Sequence, residues 1–136
     1  MSVEGERQEA GRWLAQAKAD LRAAEGSLSL ATYEWACFQA QQAAEKALKA
    51  LWYHHAQDPW GHSLAKLIED FPDQAIRQSL SPLSDSAKAL DKLYIPTRYP
   101  NGLPGLTPSE VFTEGEARTA IQTAREMIDD LARRMQ

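Results

Sequence analysis

At 136 residues the chain is long enough for one domain with its own core and too short for two ordinary ones. Its 43% apolar and 25% charged residues are those of a soluble globular protein, and no apolar run nears the ~20 residues needed to cross a bilayer. A net charge of −4 and a pI near 5.4 exclude a global positive field for holding a long nucleic acid, so any nucleotide or RNA site must be local.

The opening MSVEGERQEAGR is polar and acidic, unlike a signal peptide, and residues 1–7 read as a frayed tail. A single cysteine excludes an intrachain disulfide and fits a reducing compartment, so the cytoplasm is the expected location. From about Gln8 to Leu28, Leu14, Ala17, Leu21, Ala24 and Leu28 recur at steps of three and four, one core stripe of a first helix with Trp13 and Ala10 beside it. Ser29 to Thr32 makes a short turn, which sends the next helix back antiparallel.

That next helix, YEWACFQAQQAAEKALKALWYHH from Tyr33 to His55, is the element around which the chain is organised. It has no Gly or Pro and is rich in strong helix formers. At 100° per residue it separates into two faces. Ala36, Cys37, Ala40, Ala43, Ala44, Ala47, Leu48, Ala50 and Leu51 form an apolar arc of mostly small residues for close helix packing. Trp35, Phe38, Gln39, Gln42, Glu45, Lys46, Lys49, Trp52 and Tyr53 form the other, where large rings among amides and charges suggest a covered surface rather than a solvated one.

AQDPWGHS follows as a loop, since Pro59 and Gly61 oppose regular structure. Ser63 can cap a short helix carrying Leu64, Leu67, Ile68 and Phe71 on one side, with Pro72 ending it. Another turn or two of helix is expected from Asp73 to Leu80. Ser81 then reads as an N-cap with Pro82 at the first position of a fourth long helix, whose core stripe is Leu83, Ala87, Leu90 and Tyr94. Residues 95–112, IPTRYPNGLPGLTPSEVF, carry four prolines and two glycines and read as an ordered functional loop without regular structure. Thr113 and Glu116 form a capping box opening the last helix, striped by Ala117, Ile121, Ala124, Ile128, Leu131 and Met135. No strand pattern occurs. The expected fold is all-α: a single domain over 1–136, an antiparallel up-and-down bundle of four long helices plus a short fifth.

Arg98 and Tyr99 are the first binding candidates, because a guanidinium beside a ring between prolines suits a phosphate or a stacked base. Against this, Arg98 could merely pin its loop to the bundle by pairing with a carboxylate such as Glu45. Gln42, Glu45, Lys46 and Lys49 share about 100° of the central helix, and the lysines could meet phosphates while Gln42 reads a polar edge. The bland alternative is an i, i+4 surface pair of Glu45 with Lys49. His62 can be a site-edge group or a loop residue bonded to backbone. His54, His55, His62 and Asp58 lack any metal-ligand spacing, so neither metal nor cofactor is expected. Cys37 lies on the apolar arc as a small core residue. The rings of Trp35, Phe38, Trp52, Tyr53 and Trp60 suit an interface, and a two-fold homodimer through the second face of the central helix would cover them.

W-L-x-x-A-x-x-D-L (Trp13 to Leu21), the segment Tyr33 to Leu51, Gly61-His62-Ser63 before L-x-x-L, and L-x-x-L-Y-I-P-T-R-Y-P (Leu90 to Pro100) occur in an order that resembles the HEPN domain, the higher eukaryote and prokaryote nucleotide-binding domain. The resemblance spans nearly the whole chain. It implies a helical bundle that dimerises, with a nucleotide or RNA site near the dimer cleft and, in many bacterial relatives, a separately encoded minimal nucleotidyltransferase as partner in a toxin–antitoxin-like pair. Ribonucleases of the family carry an Arg followed four to six residues later by a His. This sequence departs from that motif, since all three histidines precede Arg98. The resemblance therefore points to a non-catalytic binding domain, with no catalytic residue assigned. It carries over Arg98 and Tyr99 as binding residues, with Gln42, Glu45 and Lys46 on the matching helix. The alternatives are a ribonuclease toxin in which His62 meets Arg98 in space, and a purely structural dimer.

Overall fold

A computed structural model describes residues 2–136, so Met1 of the expected tail lies outside the described residues. From Val3 onward the expected tail is helix: α1 runs Val3–Ser29. Its N-cap is Ser2, whose side chain accepts the Gly5 N–H at 3.0 Å, and Glu4 and Glu6 stand where the helix dipole favours carboxylates. Polarity alone suggests fraying, and capping prevents it.

The α1 helix ends without glycine. Ala31 takes a left-handed φ of 61°, while the N–H groups of Ala31 and Thr32 bond back to Leu28 and Ser27, a Schellman closure. The next helix, α2 (Tyr33–His54), closes in the same way, with Ala56 at φ 61° and Gln57 bonded to Trp52. Contacts of Ser27 with Gln39, of Asp20 with Lys46 and of Trp13 with Tyr53 step in opposite sequence directions, so α1 and α2 are antiparallel. Every member of the expected small arc on α2 is at most 1% exposed. Alanines there let α2 lie close to its neighbours at the centre of the core.

The short α3 (Leu64–Glu69) is capped by Ser63, and α4 (Gln74–Leu80) by Asp73. What reads as a fourth long helix is a composite. A 3₁₀ turn, Ser81–Leu83, leads into α5 (Ser84–Asp91), only eight residues long. Ser81 is no N-cap: Leu80 and Ser81 keep right-handed helical dihedrals, so the chain never opens for one, and the Ser81 hydroxyl donates back to Gln78.

The proline-rich stretch is more regular than its composition suggests. It holds a 3₁₀ turn at Pro100–Gly102 and a single helical turn, α6 (Pro108–Val111). Pro108 sits in the first turn, where its missing N–H costs nothing, and Glu110 reaches back to the Thr107 N–H at 3.1 Å. The capping box of Thr113 and Glu116 opens α7 (Glu114–Arg133) as expected. Its apolar stripe seals the core against α2. The molecule is an all-helical bundle, with α1, α2 and α7 as its long members and no strand among the described residues. No helix there is long and apolar enough to cross a membrane.

Candidate functional site

Successive turns on the polar side of α2 place Gln41, Glu45 and Lys49 in a row. The Glu45 carboxylate is only 3% exposed, so it must be compensated, and three neighbours do so. Gln41 Nε2 donates to Oε1 at 3.2 Å, Lys49 Nζ lies 3.2 Å from Oε2, and His62 Nδ1 lies 3.3 Å from the same oxygen. Lys49 also rests 5.9 Å from the Trp13 ring centroid. This is a buried pair and not the exposed i, i+4 bridge that spacing alone suggests. Gln42 joins the row by donating to the Gln41 side-chain oxygen at 2.8 Å.

His62 reaches this row from the loop after α2. Gly61 allows the turn by taking a φ of 78°, a conformation other residues reach only with strain. Behind it, Asp91 at the end of α5 clamps the start of α3. Its carboxylate accepts from the Ser63 hydroxyl at 2.7 Å, the Leu64 N–H at 2.6 Å and the Ala65 N–H at 3.1 Å. Gln41 Nε2 holds the His62 carbonyl at 3.4 Å. The imidazole then lies almost flat on Tyr94, with centroids 5.0 Å apart and planes 15° apart.

Arg98 meets the same tyrosine. After α5 the chain continues in helical turns, so Arg98 falls one turn beyond Tyr94, and its Nε and Nη2 donate to the Tyr94 carbonyl at 2.9 and 2.8 Å. Its guanidinium carbon lies 4.3 Å from the Phe38 ring centroid, 4.6 Å from that of Tyr94 and 5.2 Å from that of Tyr99. Three rings hold the cation by their π faces. No carboxylate lies within 4.0 Å of it among the described residues, so the pairing of Arg98 with Glu45 considered from the sequence does not occur. Glu45 is taken by Lys49 and His62, and Nη1 of Arg98 makes no hydrogen bond among the described residues.

Gln42, Glu45, Lys49, His62, Arg98 and Tyr99 thus form one connected face. Lys46 does not join it. One residue beyond Glu45, it turns toward α1, pairs with Asp20 and borders a separate shallow groove with Glu9, Arg12, Trp13 and Gln16. Trp52 also departs from expectation: it is 7% exposed, donates to the Leu67 carbonyl at 3.2 Å and packs edge-on against Phe71. It belongs to the core and cannot serve an interface. Tyr94, read as a core-stripe residue, is instead the hinge of the face, and Gln41 and Asp91 were missed. The i, i+4 spacing of Gln41 to Glu45 and of Tyr94 to Arg98 was the available signal.

A family model described as HEPN domain matches residues 10–135. Among solved structures, TT1696 from Thermus thermophilus is 44% identical over 91% of this chain and 96% of that one, with a TM-score of 0.85. ST0689, an archaeal HEPN homologue, is 32% identical over 93% and 98%, with a TM-score of 0.77. A HEPN domain protein from Thermotoga maritima is 30% identical over 89% and 94%, with a TM-score of 0.66. No curated protein matches the chain.

Proposed function

The chain belongs to the HEPN domain family, and from that premise we propose that it is a non-catalytic member that binds a nucleotide or RNA through the face centred on Arg98. The observation that carries this reading is the state of Arg98. A guanidinium stacked on Phe38, Tyr94 and Tyr99, with no carboxylate partner and no hydrogen bond at Nη1 among the described residues, retains donors that suit a phosphate. Lys49 adds little attraction, because Glu45 already neutralises it. A homodimer and a minimal nucleotidyltransferase, as in a toxin–antitoxin-like pair, are the partners this reading implies.

Titration of ATP and of short RNA into the wild-type protein and into Arg98→Ala tests the proposal. Binding in the wild type that weakens at least about tenfold in the variant is expected, since a charge-assisted bidentate contact is worth roughly 1.5–3 kcal/mol. Equal binding by both proteins, or none by either, overturns it.

One observation favours a second reading, a ribonuclease. His62 and Arg98 both rest against Tyr94, so the two groups such chemistry needs are brought to one ring although the usual sequence motif is missing. Incubation with RNA without added metal separates the readings: a binding domain leaves the RNA intact, whereas cleavage lost in both Arg98→Ala and His62→Ala establishes the enzyme.

A further inference from the structure

We infer that the cavity between the first half of α1, the end of α2 and the segment after α7 is a binding site for a small organic anion, a short-chain carboxylate. It shares no residue with the Arg98 face and goes beyond the function proposed above. Two cations beside an apolar wall carry the inference.

Arg7, Ala10, Gly11 and Leu14 recur at helical steps on one side of α1 and line the cavity, and His54, the last residue of α2, faces it as well. The side chains that complete the lining, Met135 and Gln136, are uncharged. No carboxylate lies within 4.0 Å of the Arg7 guanidinium or the His54 imidazole among the described residues, and neither side chain makes a hydrogen bond there. Positive charge is therefore gathered without a partner, and its effect is already felt: burial, followed by the charges of His55 and Arg7, holds the His54 pKa below the usual histidine value. The carbonyls at the end of α2 do not oppose an anion as bare groups, because the N–H groups of His55, Ala56 and Gln57 bond to them. Glycine inside a helix is unfavourable relative to alanine, yet Gly11 stands on this wall, and a Cβ added to it would meet no atom within 4 Å outside its own stretch of helix. The missing side chain leaves the cavity open. Its volume of about 170 Å³ is near that of cavities of about 150 Å³ that take benzene, so it suits a ligand of roughly six heavy atoms and is too small for a nucleotide. Ala10, Leu14 and Met135 would receive a short aliphatic tail while Arg7 and His54 meet its carboxylate.

The test follows the His54 imidazole by heteronuclear NMR, its signal assigned by its loss in His54→Gln, while sodium acetate, propionate and butyrate are titrated at neutral pH and constant ionic strength into wild type, Arg7→Gln and Gly11→Leu. In the wild type the shifts should saturate, with affinity rising about fourfold for each added methylene as the tail enters the cavity. Arg7→Gln should weaken butyrate at least about tenfold, the loss of a charge-assisted contact. Gly11→Leu, which fills the cavity and favours the helix, should lose the butyrate response with its circular dichroism unchanged. Bound butyrate should raise the His54 pKa, since an anion offsets the repulsion from Arg7 and His55. A wild type that gives no saturable response to butyrate, or responds alike to acetate, butyrate and chloride, overturns the site. Equal binding of uncharged butyramide, or undiminished butyrate binding by Gly11→Leu, overturns it as well. None of these results bears on Arg98, so the two readings fail separately.

Discussion

Glu45 and Cys37 show how burial changes the meaning of a residue. On α2 both stand among good helix formers, Cys37 on the apolar arc and Glu45 on the polar face. Glu45 is accommodated inside because Gln41, Lys49 and His62 converge on its carboxylate, so it organises the face rather than binding through it. Cys37 has no such partners. Fully enclosed by the helix packing, its thiol is pushed up from 9.0 to about 12, chiefly by burial, with Glu116 and Glu34 adding to the effect. The folded state therefore holds the thiol proton more tightly than the unfolded chain does. This contribution to stability is complete below pH 9 and is lost as pH rises from 9 towards 12. Two outcomes follow. Iodoacetamide at pH 8 should leave the native protein unlabelled and modify it once denaturant unfolds it. Above pH 9, stability measured by urea unfolding should fall less steeply in Cys37→Ala than in the wild type, and rapid labelling of the native protein would show that the helix packing opens.

Among the elements, the long helices were legible because their information is local. The steps of three and four on α1, α2 and α7, and the caps at Ser63 and Thr113, each lie within a few residues of what they explain. Lys46 and Trp52 were misplaced by the same local reasoning, since helical angle says which way a side chain leaves its own helix and not which neighbour it meets. The place of His62 in the candidate face depends on a contact no local pattern could contain: Asp91, 28 positions beyond Ser63, satisfies the N-terminus of α3 and so sets where His62 stands. Asp91→Ala removes an acceptor of one hydroxyl and two backbone N–H groups. It should cost about 2 kcal/mol, the range of a lost cap and a charged hydrogen bond. Urea unfolding checks the loss. Asp91→Asn, which keeps one acceptor oxygen, should lose less, and a wild-type midpoint for Asp91→Ala would mean that α3 is held by its apolar side alone.

At the scale of the molecule, the aromatic surface left after Trp52 is assigned to the core decides where a second copy would fit. Trp35 is 47% exposed and meets Phe38 edge to face, while Ile95 and Tyr99 are 46% and 49% exposed on the segment that carries Arg98. Large rings gathered on one side of a small bundle are the usual centre of an interface. The expectation is a dimer in solution that Trp35→Glu converts to monomer without loss of helicity, measured by light scattering and circular dichroism; a burial-driven hot spot of about 2 kcal/mol corresponds to roughly a thirtyfold weaker association. A dimer that persists in the variant would place the interface elsewhere. The same variant separates a binding domain from a purely structural one. Because Trp35 packs on Phe38, which in turn supports Arg98, assembly and ligand binding would draw on one set of rings and must influence each other reciprocally. AMP should then shift the monomer–dimer equilibrium of the wild type, whereas a dimer whose rings serve association alone would be indifferent to the nucleotide at every concentration.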